Sequence, residues 1–132
     1  MNNPGAVSIW LGNYSSEEFI IEYLSVKYNE HGDGVPSKFM IDFKIDFIDF
    51  DEDLLEYTYI NSPTSSLTEL LKNSSYSEIM IRELAEFYGD ELTEKYNAAI
   101  RIYDFEYEET VEETILNGRR LVYMGSVIYE EK

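Results

Sequence analysis

Residues 98–107, Ala98-Ala99-Ile100-Arg101-Ile102-Tyr103-Asp104-Phe105-Glu106-Tyr107, restrict the possible folds more than any other stretch of the chain. Ala98, Ile100 and Ile102 alternate on one face of a strand. Tyr103, Phe105 and Tyr107 then alternate on the other, so the apolar set changes side near Ile102. A strand with one buried face cannot do this without a bulge or a second covering layer. The last third of the chain therefore reads as sheet. Downstream, Asn117-Gly118 supplies the positive φ angles of a tight type I′ turn between strands over residues 110–116 and 119–129.

Earlier segments supply the rest of the fold. Ala6-Val7-Ser8-Ile9-Trp10-Leu11 is a β-type run closed by Gly12-Asn13. Ser15 to Glu18 then forms a capping box, ahead of a helix carrying Phe19, Ile20, Tyr23 and Leu24 and ended by the loop at residues 32–36. Residues 37–60 are ambiguous. Ile41-Asp42-Phe43-Lys44-Ile45-Asp46-Phe47 alternates like a strand, while Phe39, Met40, Phe43, Phe47 and Phe50 fit a helical stripe. Ser66-Leu67-Thr68-Glu69 is a second capping box before a short helix. Ser77 opens a third helix with Met80, Leu84, Phe87 and Tyr88 on one face, stopped by Gly89. The expected fold is α+β: a small antiparallel sheet of about four strands, with the helices packed on one face.

Charge decides the class of partner. Across 132 residues, 27 Asp and Glu stand against 10 Lys and Arg, a formal charge of −17. At 44% hydrophobic and 15% aromatic, the chain is nonetheless too rich in large apolar groups for a disordered acidic tail and reads as one folded domain. The negative field disfavours nucleic acid and anionic membrane, which need clustered Lys and Arg, and favours a basic protein. The absence of Cys removes disulfides, zinc knuckles, thiol nucleophiles and iron–sulfur clusters, and no cofactor motif is present. The first residues lack a basic leader region, and no apolar run approaches the ~20 residues of a membrane span, so the expected location is the cytoplasm.

Two segments combine carboxylates with aromatic residues. Asp49-Phe50-Asp51-Glu52-Asp53 resembles the first half of a calcium loop, but Leu54 stands where the turn needs Gly and Ile60 where a bidentate Glu belongs, so no metal is expected. Residues 104–113 hold six carboxylates and no base, interleaved with Phe105 and Tyr107. Carboxylates steer a cationic partner, while Tyr and Phe supply the contact area of binding hot spots. The candidate contact residues are Asp46, Asp49, Asp51, Glu52, Asp53, Glu56, Tyr57 and Tyr59, with Asp104, Glu106 and Tyr107. For both segments the plain alternative is a solvated acidic face. Catalysis finds little support: the single histidine, His31, lies in a loop with no nucleophile motif, and a carboxylate pair is unspecific among 27 acids.

Several stretches in order, Val7-Ser8-Ile9-Trp10-Leu11-Gly12-Asn13 followed by Ser15-Ser16-Glu17-Glu18, Ser37-Lys38-Phe39 with Asp42-Phe43, the acidic residues 49–53, Ser75-Tyr76-Ser77, Tyr103-Asp104-Phe105-Glu106-Tyr107 and Val122-Tyr123-Met124-Gly125-Ser126-Val127, resemble the immunity protein 22 family of bacterial polymorphic toxin systems. The resemblance spans residues 7–129. It implies a small cytoplasmic antidote that binds and neutralises a cognate toxin domain, with no catalysis and no cofactor. The charge adds the expectation of a nuclease toxin met by an acidic and aromatic surface. Two alternatives remain at this point: an acidic adaptor or scaffold for a basic housekeeping protein, and a small carboxylate-dependent hydrolase.

Overall fold

A computed structural model describes residues 2–108, 110–116 and 119–130. Along the chain run β1 (Asn2–Gly12), α1 (Glu17–Leu24), β2 (Lys27–Tyr28), β3 (Gly34–Val35), α2 (Lys38–Phe43), two 3-10 turns (Phe47–Asp49 and Glu52–Leu54), β4 (Leu55–Ser66), α3 (Leu67–Leu71), α4 (Ser77–Tyr88), β5 (Glu91–Phe105), β6 (Glu113–Leu116) and β7 (Arg119–Ile128). Five strands form one antiparallel sheet in the order β4-β5-β1-β7-β6, and β2 with β3 makes a separate small hairpin. The α+β class stands. The fifth strand of the main sheet is β4, which the ambiguous middle of the sequence conceals. Asn117-Gly118 lies outside the described residues, but Leu116 pairs with Arg119 on either side of it.

The helices cover both faces of the sheet rather than one. Val7, Ile9 and Leu11 point into a core with Leu67, Leu70 and Leu71 of α3 and Met80 and Leu84 of α4. Trp10, on the opposite face, joins Ile20 and Tyr23 of α1 and Phe39, Met40 and Phe43 of α2. Burial on two faces accounts for the consecutive apolar residues Ile9, Trp10 and Leu11 in β1, which one layer of helices could not accommodate.

Both devices that the side switch in β5 demands are present. Ala98, Ile100 and Ile102 face α1 and α2, while Ala99 and Tyr103 face α3 and α4. Asp104 then takes a left-handed conformation (φ 58°), and pairing with β1 loses its regular register beyond Tyr103. The left-handed turn at Asp104 returns Phe105 and Tyr107 to the α1 and α2 side, so Tyr103 alone holds the face that the alternation assigns to all three. Ser8 fastens the bulge. Its buried hydroxyl contacts the Phe105 carbonyl (2.8 Å), and it accepts from the Tyr107 amide (2.9 Å).

Local signals explain the helices, with small corrections. Ser16 rather than Ser15 caps α1, accepting from the Phe19 amide at 3.2 Å. Ser37 caps α2 and Ser66 caps α3 in the same way. Gly89, at φ 75°, ends α4. The apolar stripe of α4 runs through Met80, Ile81, Leu84 and Ala85, leaving Phe87 82% exposed instead of buried.

Gly12 marks a close approach between strands. A Cβ there would lie 2.5 Å from the Arg120 carbonyl oxygen, which itself accepts from the Asn13 amide at 2.9 Å and cannot withdraw without breaking that bond. Gly12→Ala should therefore destabilise the protein by about 1–3 kcal/mol, measured as a lowered urea midpoint at unchanged slope. An unchanged midpoint would show that β1 and β7 separate freely at this point.

Candidate functional site

The acidic middle segment leaves α2 through Lys44, whose left-handed backbone (φ 58°) stops the helix. Ile45 turns inward, and its amide donates to the Met40 carbonyl at 2.9 Å. Two 3-10 turns follow, pinned by Phe50, whose ring meets Phe105 edge-on at 6.0 Å, and by Leu54, which packs against the α3 and α4 core. With the apolar groups turned in, the carboxylates turn out. Asp46, Asp51, Glu52 and Asp53 are exposed, and Asp49 is half-buried. Asp51 caps the second turn by accepting from the Asp53 amide (2.9 Å), and Glu52 accepts from the Tyr28 hydroxyl (2.9 Å). Among the described residues, none of these five carboxylates forms an ion pair. Ile48 stands in their midst at 89% exposure.

The remaining candidates separate into different settings. Asp104 joins Asp49 and Asp51 in lining a cleft of about 370 Å³, although the two segments lie far apart in sequence. Its Oδ1 also accepts from the Gly5 amide (2.9 Å) and the Tyr129 hydroxyl (2.5 Å), so it fastens the bulge as well as facing the cleft. Glu106 is exposed and accepts from the Asn3 side chain at 2.9 Å. Tyr107 is buried, with its hydroxyl donating to the Phe43 carbonyl (2.6 Å) and accepting from the Val111 amide (2.9 Å). It is a core residue and offers no contact surface.

Glu56, Tyr57 and Tyr59 belong to β4 and line a second, open groove of about 590 Å³ with Leu55, Thr58, Glu17, Asn73 and Arg101. The Tyr57 hydroxyl donates to Glu17 at 3.0 Å. Glu56 turns toward Arg101 (3.5 Å) and accepts from the Ser75 hydroxyl (2.8 Å) and the Tyr103 hydroxyl (3.0 Å). Partial burial pushes the Glu56 pKa up, but hydrogen bonds from Ser75 and Tyr103 and the Arg101 charge outweigh it and hold the carboxyl below its ordinary value. The sequence argument misses Arg101, Thr58, Glu17, Ile48 and Tyr28. A lone cation inside the apolar run from Ala98 to Tyr103 is the one signal that could have pointed to Arg101.

Among the described residues, no three His, Asp or Glu side chains converge in a way that could hold a metal ion. No helix there is long and apolar enough to cross a membrane. His31 is exposed, 3.6 Å from Glu30, with no nucleophile near it in any hydrogen bond or ion pair.

A family model described as immunity protein 22 matches residues 7–130, nearly the whole chain and every element from the body of β1 to the end of β7. The chain belongs to the immunity protein 22 family. Membership gives this immunity protein a role in a toxin system. The matched span contains every candidate contact residue, the groove along β4 and the Arg101 cluster, and all of the smaller cleft except Pro4. Neither the curated proteins nor the solved structures yield a match to this immunity protein.

Proposed function

We propose that this immunity protein, acting as a single domain in the cytoplasm, neutralises its cognate toxin by stoichiometric binding rather than by catalysis, and that the toxin is a nuclease met by the acidic strip at residues 46–53. The supporting observation is the set of five carboxylates that, among the described residues, form no ion pair, around the exposed Ile48. Like charges held this close repel one another, so a basic surface that neutralises them gains favourable energy on contact. Nuclease clefts are basic because they hold phosphates, and an acidic strip bearing one apolar side chain complements such a cleft in charge and contact chemistry. The exposed Glu106 and the cleft face of Asp104 extend the same negative surface.

The test is co-purification with the product of the neighbouring toxin gene, followed by association rates from roughly 50 to 500 mM salt. The wild-type rate should fall steeply with salt, since steering over a Debye length of about 8 Å is screened at physiological ionic strength. Replacing Asp49, Asp51, Glu52 and Asp53 together with Asn or Gln should lower the rate, flatten its salt dependence and leave the melting temperature intact. Asn at position 51 keeps the turn cap. A flat wild-type profile would remove the acidic-strip mechanism, and failure to form any complex would remove the toxin pairing.

A further inference from the structure

The open edge of β4 adds something that charge alone does not. Residues 55–59 pair in unbroken register with β5, from Leu55 opposite Ile102 to Tyr59 opposite Ala98. On the other side β4 has no neighbouring strand among the described residues, because it ends the sheet order. In an antiparallel edge strand every second residue directs its N–H and C=O away from the sheet. Among the described residues, no strand pairs with residues 55–59 from that side, and the Leu55 amide alone is engaged there locally, donating to the Glu52 carbonyl.

Folded proteins usually blunt such an edge with proline, lysine, a bulge or short length. The second half of β4 is blunted in this way, by Pro63 and by register breaks after Tyr59 and Thr64. At the opposite edge of the sheet, β6 is only four residues long. Residues 55–59 carry neither proline nor lysine, and they run along an open groove walled by Glu17 of α1 on one side and Asn73 on the other. The groove therefore follows the edge strand along residues 55–59.

We propose that the cognate toxin docks by adding an extended cationic segment to β4 along residues 55–59. This rests on the toxin pairing proposed above and names how the partner engages. The charges select that occupant. Glu17 and Glu56 line the slot, Asp51, Glu52 and Asp53 stand immediately before it in the chain, and its single cation, Arg101, is buried and already bound to Thr58 and Glu56. A second copy of this chain would bring another −17 to the same edge and be repelled. Main-chain bonds supply affinity in strand addition, and the flanking side chains supply selectivity.

Amide hydrogen exchange by NMR reads the proposal directly, on the full chain alone and with the neighbouring gene's toxin domain in an inactivated form. Within residues 56–59, alternate amides should slow by roughly tenfold or more on complex formation, while the intervening amides, already bonded to β5, and the Leu55 amide, already bonded to Glu52, stay unchanged. Of Tyr57→Pro and Thr58→Pro, the one at the newly protected position should fold and lose binding, because proline is tolerated where the edge N–H points outward. A complex that protects residues 46–53 but no amide of residues 55–59 would overturn strand addition and leave the toxin pairing standing. No complex would overturn both. Concentration-dependent protection without toxin would make a second copy the occupant and end the proposal.

Discussion

Trp10→Ala is expected to cost about 3–5 kcal/mol, a large fraction of the ~5–15 kcal/mol that stabilises a typical domain. Trp10 is fully buried and touches four rings: Phe39 at 5.1 Å, Tyr123 at 5.2 Å, Tyr107 at 5.5 Å and Phe43 at 5.9 Å. These rings belong to α2, to the chain after β5 and to β7, so one side chain from the central strand ties three elements together. Alanine leaves a cavity that four rings anchored on separate elements cannot close. Trp10→Phe should cost less than half as much. It keeps a ring in place, and it removes an indole N–H that is buried without an acceptor among the described residues. Urea unfolding followed by circular dichroism measures both variants. Equal losses would mean that the indole N–H holds a hydrogen bond worth as much as the ring contacts. Because α2 ends where the acidic strip begins, Trp10→Ala should also speed amide exchange in α2 more than in α3.

The helix caps, the glycine stop and the strands of the last third were legible because each rests on local chemistry. Ser66 needs only an amide three residues ahead, and Gly89 needs only its positive φ. The middle of the chain was not legible, because its two periodicities conflict. Ile41 to Phe47 alternates, yet the demand for apolar volume around Trp10 takes Phe39, Met40 and Phe43 inward together and leaves Ile41 58% exposed. Tertiary packing decided between two patterns of equal local merit. The placing of helices on both faces was hinted at only by the apolar side switch in β5, which admits a bulge or a second layer. The molecule uses both.

The acidic strip was readable, since charge density is a property of the sequence itself. Its neighbours were not separable by type alone. Tyr107 and Tyr57 carry the same side chain in similar alternation, but the left-handed turn at Asp104 sends Tyr107 into the core, while Tyr57 stays at the sheet edge. Glu56 reads as one more surface acid until Arg101 is seen opposite it in register. Such contacts depend on strand order, which local sequence does not carry.

Removing Glu56 is expected to destabilise the protein more than removing its partner, by about 2–4 kcal/mol for Glu56→Ala against roughly 0–2 kcal/mol for Arg101→Met. The Arg101 side chain is 3% exposed and that of Glu56 is 36% exposed. Without Glu56, a desolvated guanidinium keeps its charge, because arginine does not deprotonate, and is left with the neutral partners Thr58 (2.8 Å), the Ala99 carbonyl (3.4 Å) and the Tyr103 hydroxyl. Without Arg101, Glu56 still has Ser75, Tyr103 and water, and methionine refills the buried stem. The double variant should therefore recover much of what Glu56→Ala loses, a coupling that a double-mutant cycle measures. Acid supplies an independent reading. A carboxyl held below its ordinary value of 4.5 contributes stability that is fully present above that pH and is lost as pH falls through the lowered value. Glu56→Gln should accordingly flatten the acid limb of the stability curve below about pH 4.5. If Arg101→Met proves the costlier change, and Glu56→Gln leaves the acid limb unaltered, the cation and not the carboxylate organises this edge of the sheet.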